Sequence, residues 1–146
     1  MAGKALGITL EEARAVIRAG HEKAREIGIP MNIAVVDAGA NLVAFERQDG
    51  AWIGSIDIAQ KKAFTSRAFD IDTQSLGENA QSGKQFFGIH VSNEGKVMIF
   101  AGGVPLKIGD QVVGAVGVSG GLGKQDQAVA EAAAKAFSAH SGRRAA

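Results

Sequence analysis

Apolar positions change their spacing several times along this chain, and each change marks an element. Ala13, Val16, Ile17, Gly20, Ala24 and Ile27 recur on one face of a helix, and Thr9 with Glu12 has the spacing of a capping box at its start. Gly28 stops that helix and Pro30 prevents its continuation. Residues 31–37 and 41–47 read as two strands joined by Ala38-Gly39-Ala40, whose turn chemistry predicts an antiparallel hairpin. Helical spacing returns over 53–69, with Ile56, Ala59, Ala63 and Phe64 inward and Gln60, Lys61 and Arg67 outward. Thr73 can cap a further short helix.

Residues 82–95 are polar and punctuated by glycine around Phe86 and Phe87, which predicts a loop that covers something. Residues 97–101, 104–108 and 111–118 then predict a meander of short strands, with Gly109-Asp110 as its second turn. Val112, Val113, Ala115, Val116 and Val118 leave no polar face, so this strand is expected at the centre of a sheet covered on both sides. A last helix from 124 to about 140 buries Val129, Ala132, Ala133, Ala136 and Phe137, and 141–146 is expected to be a flexible tail. The elements predict a three-layer α/β (α+β) arrangement in one domain, 1–146.

The 146 residues carry a net charge of +1, with cations and anions interspersed, which leaves no electrostatic footprint for nucleic acid. No apolar run spans a bilayer and the first residues lack the apolar stretch of a secretory leader, so a cytoplasmic location without membrane contact is expected. Cysteine and tyrosine are absent, which removes disulfides, thiolate nucleophiles and zinc–thiolate sites. Neither a Walker loop nor a G-x-S-x-G elbow is present.

The densest signal is residues 102–126, GGVPLKIGDQVVGAVGVSGGLGKQD, where apolar runs are flanked by glycine clusters that lead into a helix. Backbone amides from Gly120 to Lys124 sit at that helix start, where unpaired donors and the positive dipole end suit a carboxylate or phosphate. The competing reading is a tight turn, with Asp126 serving the helix N-terminus. A second constellation is Asp37, Glu46 and Arg47 at strand ends with Lys61 and Arg67 on the second helix; converging with the nest and His90, they would suit proton transfer on a small organic acid. Asp37 has the alternative role of stabilising the Ala38-Gly39 turn, and Asp57 with Lys61 that of an exposed helix pair.

AVVDAGANLVAFERQDGA, DIAQKKAFTSRAF and the 102–126 block, in this order, resemble the GlcG/HbpS family (DUF336) over about 8–138. The resemblance implies a profilin-like α/β/α fold, a five-stranded antiparallel sheet with helices on both faces, homo-oligomers from dimers to octamers, and binding of haem or another small ligand. In the family the second helix carries a lysine before a K-A-x-T-like run, and Lys62-Ala63-Phe64-Thr65 is the literal match, with Lys61 adjacent. The expected ligand-binding set is Lys62, Arg67, Phe87, Gly102, Gly103, Pro105, Ser119, Gly120, Gly121 and Asp126; the candidates for catalysis are Asp37, Arg47 and His90. Haem iron needs an axial ligand, and with Cys and Tyr missing His90, beside Phe86 and Phe87, is the candidate. His21 reads as solvated and His140 falls at the C-terminus, while Met31 and Met98 read as core filler. The leading expectation is a small-ligand binder; the alternatives are a cofactor-independent isomerase, tautomerase or lyase acting on an organic carboxylate, and a structural homo-oligomer.

Overall fold

The computed structural model describes residues 2–145, with side chains through residue 139. Helix α1 (Leu10–Ile27) leads through a hairpin of β1 (Asn32–Asp37) and β2 (Leu42–Arg47) to α2 (Gly54–Phe69) and α3 (Thr73–Asn79). After a 3-10 turn (Ile89–Val91) and the short α4 (Ser92–Gly95) come β3 (Gly103–Ile108), β4 (Gln111–Ser119) and α5 (Gly123–Ala145). The capping box forms as its spacing predicts: the Glu12 amide donates to Thr9 Oγ1 and the Thr9 amide to Glu12 Oε1. Gly28 closes α1 in the left-handed region at φ 81°.

The strands form one antiparallel sheet in the order β2-β1-β4-β3. Alternation along β1 sends Ile33 and Val35 to the α1 and α5 side, where they join Val16, Ile17, Val116, Val118, Val129 and Phe137. Ala34, Val36 and Ala115 face Ala59 and Ala63 of α2 on the other side. Helices therefore cover both faces of the central strands, as the all-apolar run of β4 predicts.

The sheet has four strands, where five were expected. Segment 97–101 runs outside the ladder because it is held elsewhere: the Met98 amide donates to Thr65 Oγ1 of α2 at 2.9 Å. Strand β3 is also a poor template for a fifth strand, since Pro105 has no donor and the Gly103 amide is spent on Thr73 Oγ1. Thr73 is thus engaged with β3 and does not cap α3; Asp72 does, by accepting from the Ser75 amide. On α2, Ile56 and Phe64 are half-buried, and Lys62, Thr65 and Ser66 take buried positions. The expected tail is continuous with α5 to residue 145, and its side chains, with that of His140, lie outside the described residues.

Candidate functional site

The end of the sheet where Asn32 lies between Arg47 and Ser119 carries the candidate site. Buried Asn32 donates to the Trp52 carbonyl at 3.0 Å, and Gln48 Oε1 accepts from the Met31 amide at 2.9 Å, so two side chains fix the link 48–53 beside the end of β4. Gly120 passes close to the chain before β1: a Cβ there would stand 2.6 Å from the Pro30 carbonyl oxygen, so only glycine fits. Between the link and the turn after β4 lies a cleft of about 470 Å³ lined by Ile29, Pro30, Gly50, Ala51, Trp52, Gly120, Gly121, Leu122 and Gln125. Trp52 and Leu122 are 66% and 65% exposed at its rim.

On the α2 side of that turn Lys62, fully buried, donates from Nζ to the Val118 carbonyl and to Asp126 Oδ2, both at 2.8 Å, and lies 4.8 Å from the centroid of the Phe100 ring. Asp126 Oδ1 accepts from the Gly121 amide at 2.8 Å. Burial lowers the Lys62 pKa against the attraction of Asp126, and burial raises that of Asp126 against Lys62 and the Gly121 and Gly120 amides. Both directions say that removing the pair from water costs more than the pairing returns.

This geometry brings together Lys62, Gly102, Gly103, Ser119, Gly120, Gly121 and Asp126 of the expected ligand-binding set. It also fills much of the expected nest from within. Asp126 takes the Gly121 amide and Gln125 Oε1 the Leu122 amide, so the free amides at this turn, among the described residues, are those of Gly123 and Lys124. The lysine ambiguity resolves in favour of Lys62, since Lys61 points outward to Asp57 at 2.9 Å. Pro105 lines a different cleft with Asp72, Lys107 and Glu131.

Asp37, Arg47 and His90 do not converge within the chain. Asp37 pairs with Gly114 at the far end of β1, whereas Arg47 pairs with Asn32, about 16 Å away at roughly 3.3 Å per residue. Asp37 Oδ1 accepts from the amides of Gly39 and Asn41 and from Asn41 Nδ2, which is the turn role. Arg67 belongs to that end too, donating to the Ala38 carbonyl and to Asp70. Asp37→Asn is therefore expected to lower Tm by about 3–4 °C, the equivalent of one weakened charge-assisted bond, and to leave ligand affinity unchanged; thermal unfolding beside a binding titration checks both.

His90 is exposed in the 3-10 turn, with Phe87 edge-on at 6.4 Å. His21 is not solvated: it is 8% exposed, with Nε2 2.8 Å from Glu46 Oε1. The sequence reading missed the Trp52 cleft, whose only signal was an isolated tryptophan between a glycine and a helix start, and it missed that Lys62 and Asp126 bind each other. Among the described residues no group of three or more metal-ligating side chains occurs, and no described helix is long and apolar enough to cross a membrane.

Residues 8–135 match the family described as haem degrading protein HbpS-like. The chain is 38% identical over 131 residues to an uncharacterised 15.0 kDa protein encoded between dhaT and dhaS in Citrobacter freundii, covering 90% of this chain and 92% of that one. It superposes on the crystal structure of Klebsiella pneumoniae ORFY, a DUF336 protein, with a TM-score of 0.89, at 36% identity and 94% and 95% coverage. The structure of PduOC in complex with haem superposes with a TM-score of 0.85, at 30% identity and 89% and 94% coverage.

Proposed function

The chain belongs to the HbpS-like family, and from that premise we propose that it binds a small, flat, largely apolar anion, haem or a molecule of similar shape, in the Trp52 cleft. The observation that carries this reading is the cleft itself: an open concavity with an apolar wall, an exposed indole at its rim and the first turn of α5 at its edge. An indole face offers stacking area to a flat ligand. The free amides of Gly123 and Lys124, with the exposed Lys124 side chain outside any ion pair among the described residues, suit an acid group.

The fit to haem is partial. The cleft walls suit a porphyrin's flat body and carboxylates, yet they hold no imidazole or thioether for its iron. Among the described residues the exposed imidazole is His90, which lies on the segment around Phe87 and not in the cleft. The organic-acid reading is weakened in one respect, since Asp37 and Arg67 lie at the opposite end of the sheet from Arg47, although Glu46 and Arg47 line one concavity with His21.

Trp52 is the one tryptophan of the chain, so its emission reports the cleft directly. Titration with haemin is expected to give a saturable Soret change and matching quenching of Trp52. Gly121→Val, which intrudes on Gln125 of the cleft lining and on buried Met31 behind it, should weaken binding at least about tenfold. A Soret change without quenching would move the ligand out of the cleft, and no saturable change with haemin would remove haem from the reading.

A further inference from the structure

The Trp52 cleft has a polar neighbour. Ile29 and Pro30, which line the cleft, also line a second concavity of about 300 Å³ whose remaining walls are Ala24, Arg25, Gly28, Gln48 and Asp49. The same two stretches of chain wall both spaces: the end of α1 with residues 28–30, and the link after β2. In the second space opposite charges do not meet. Arg25, on α1, and Asp49, on the link, line it together, yet both are exposed and neither has an ion pair or a side-chain hydrogen bond among the described residues. Gln48 is already engaged: its Oε1 accepts from the Met31 amide at 2.9 Å and its Nε2 donates to the His21 carbonyl at 3.5 Å, which fixes the wall that carries Asp49.

We propose that the two concavities form one bipartite site for an aromatic α-amino acid, with the flat ring against Trp52 and the amino-acid head between Arg25 and Asp49. Two opposite charges held on separate walls, too far apart to pair, are a receptor for a group that carries both signs. The head's carboxylate takes the planar guanidinium of Arg25 in a two-point contact, and its ammonium takes the Asp49 carboxylate. A simple anion satisfies Arg25 and is repelled by Asp49; a simple amine meets the reverse. Helix α1 also ends at this space, where Gly28 caps it, and the negative end of its dipole favours the ammonium.

The concavity at His21 is a weaker receptor for such a head. It shares Arg25 and Asp49, but its Glu46 carboxylate is already taken by His21 Nε2 at 2.8 Å, and it has no lining residue in common with the apolar cleft. The space lined by Ile29 and Pro30 is the one that adjoins both the charges and the indole, so a single short molecule reaches all three.

This inference rests on the Trp52 cleft being the ligand site and adds a head group to the flat body seated there. Three probes with one chromophore test it: L-kynurenine, kynuramine, which lacks the carboxylate, and 4-(2-aminophenyl)-4-oxobutanoate, which lacks the α-amino group. Each absorbs where tryptophan emits, so each quenches Trp52, the one tryptophan of the chain, when bound beside it. Saturable quenching by L-kynurenine is expected, at least about tenfold tighter than by either analogue. Arg25→Gln should bring L-kynurenine down to the level of kynuramine and leave kynuramine itself unchanged; Asp49→Asn should bring it down to the level of the analogue without the α-amino group and leave that one unchanged. Both residues are exposed, so the variants keep the fold. Equal affinity for the three probes, a preference that survives both substitutions, or no quenching by L-kynurenine would overturn the inference. Haemin in the same assay separates the two readings. Quenching by haemin without binding of L-kynurenine overturns this inference and leaves the cleft as the ligand site, whereas L-kynurenine binding with the expected losses and no saturable haemin change upholds it and removes haem. Trp52 unquenched by haemin and by every probe removes both.

Discussion

Lys62→Met is expected to destabilise the protein by about 3–5 kcal/mol at neutral pH, and Lys62→Met combined with Asp126→Asn to recover most of that loss. The single change removes the cation and leaves the Asp126 carboxylate 2% exposed, facing methionine where an ammonium stood. The double change removes both charges, while the amide oxygen introduced by Asp126→Asn still accepts from Gly121, so the turn into α5 keeps its hydrogen bond. Asp126→Asn alone should be nearly as harmful as Lys62→Met, because the ammonium then keeps only the Val118 carbonyl, an amide oxygen and the Phe100 ring. Urea unfolding of the four proteins gives the cycle. A double variant as unstable as the sum of the singles would mean that the two residues act separately.

The pH dependence follows with definite signs. In the wild type the Asp126 pKa is raised in the fold, so the folded state holds that proton more tightly, and this group's contribution to stability falls as pH rises from its ordinary 3.8 through the folded value. The Lys62 pKa is lowered, so between its folded value and 10.5 the unfolded chain binds the proton better, and stability rises with pH there. In Lys62→Met the lowering influence of the lysine on Asp126 is gone and the carboxyl pKa climbs further. Its destabilisation should therefore be small near pH ~4, the ordinary carboxyl range, and grow toward neutrality, and adding Asp126→Asn should flatten that slope.

The elements were legible where one local rule decided them. The α1 capping box, the Gly28 stop, the 31–47 hairpin and the double-faced apolar run of β4 follow from spacing alone, and all are present. The fifth strand was misread because 97–101 has strand composition but is committed to a distant partner, Thr65 on α2, which no local pattern records. His21 was misread for a related reason: a polar-looking place on a helix is buried once Glu46, on β2, packs over it. Glycine clustering and the K-A-x-T match point to residues that the fold brings together, Lys62, Asp126 and the turn at 119–121. That the nest amides are largely filled by Asp126 and Gln125 depends on side-chain reach within a single turn, and glycine spacing says nothing of that. The Asp37, Arg47 and His90 grouping failed for a topological reason. The last residues of two consecutive strands look equivalent in sequence, but in an antiparallel hairpin they lie at opposite ends of the sheet.

Gly117→Ala is expected to destabilise the protein by about 3 kcal/mol or more, beyond an ordinary overpacking cost, because the added methyl meets backbone and not a side chain that can move. The atoms in its way are the Ala59 carbonyl oxygen and the Ala63 amide nitrogen of α2, and on the neighbouring strand a methyl on Gly103 would stand 2.6 Å from the Lys62 carbonyl oxygen. Helix α2 thus rests directly on the sheet through Gly117 and Gly103, with Ala34, Ala59, Ala63 and Ala115 forming the rest of that thin layer. This closeness is what lets Lys62 reach the Val118 carbonyl one residue beyond Gly117, so lifting the helix strains the ion pair and the turn to the cleft together. Gly54→Ala, at the first residue of α2 with no atom within 4 Å of the new methyl, is the matched control and should be neutral. Denaturant midpoints of the two variants, with Trp52 emission of the folded states, test the coupling: Gly117→Ala should lose stability and shift the emission, and a loss of stability with emission unchanged would show that the cleft does not depend on how closely α2 seats.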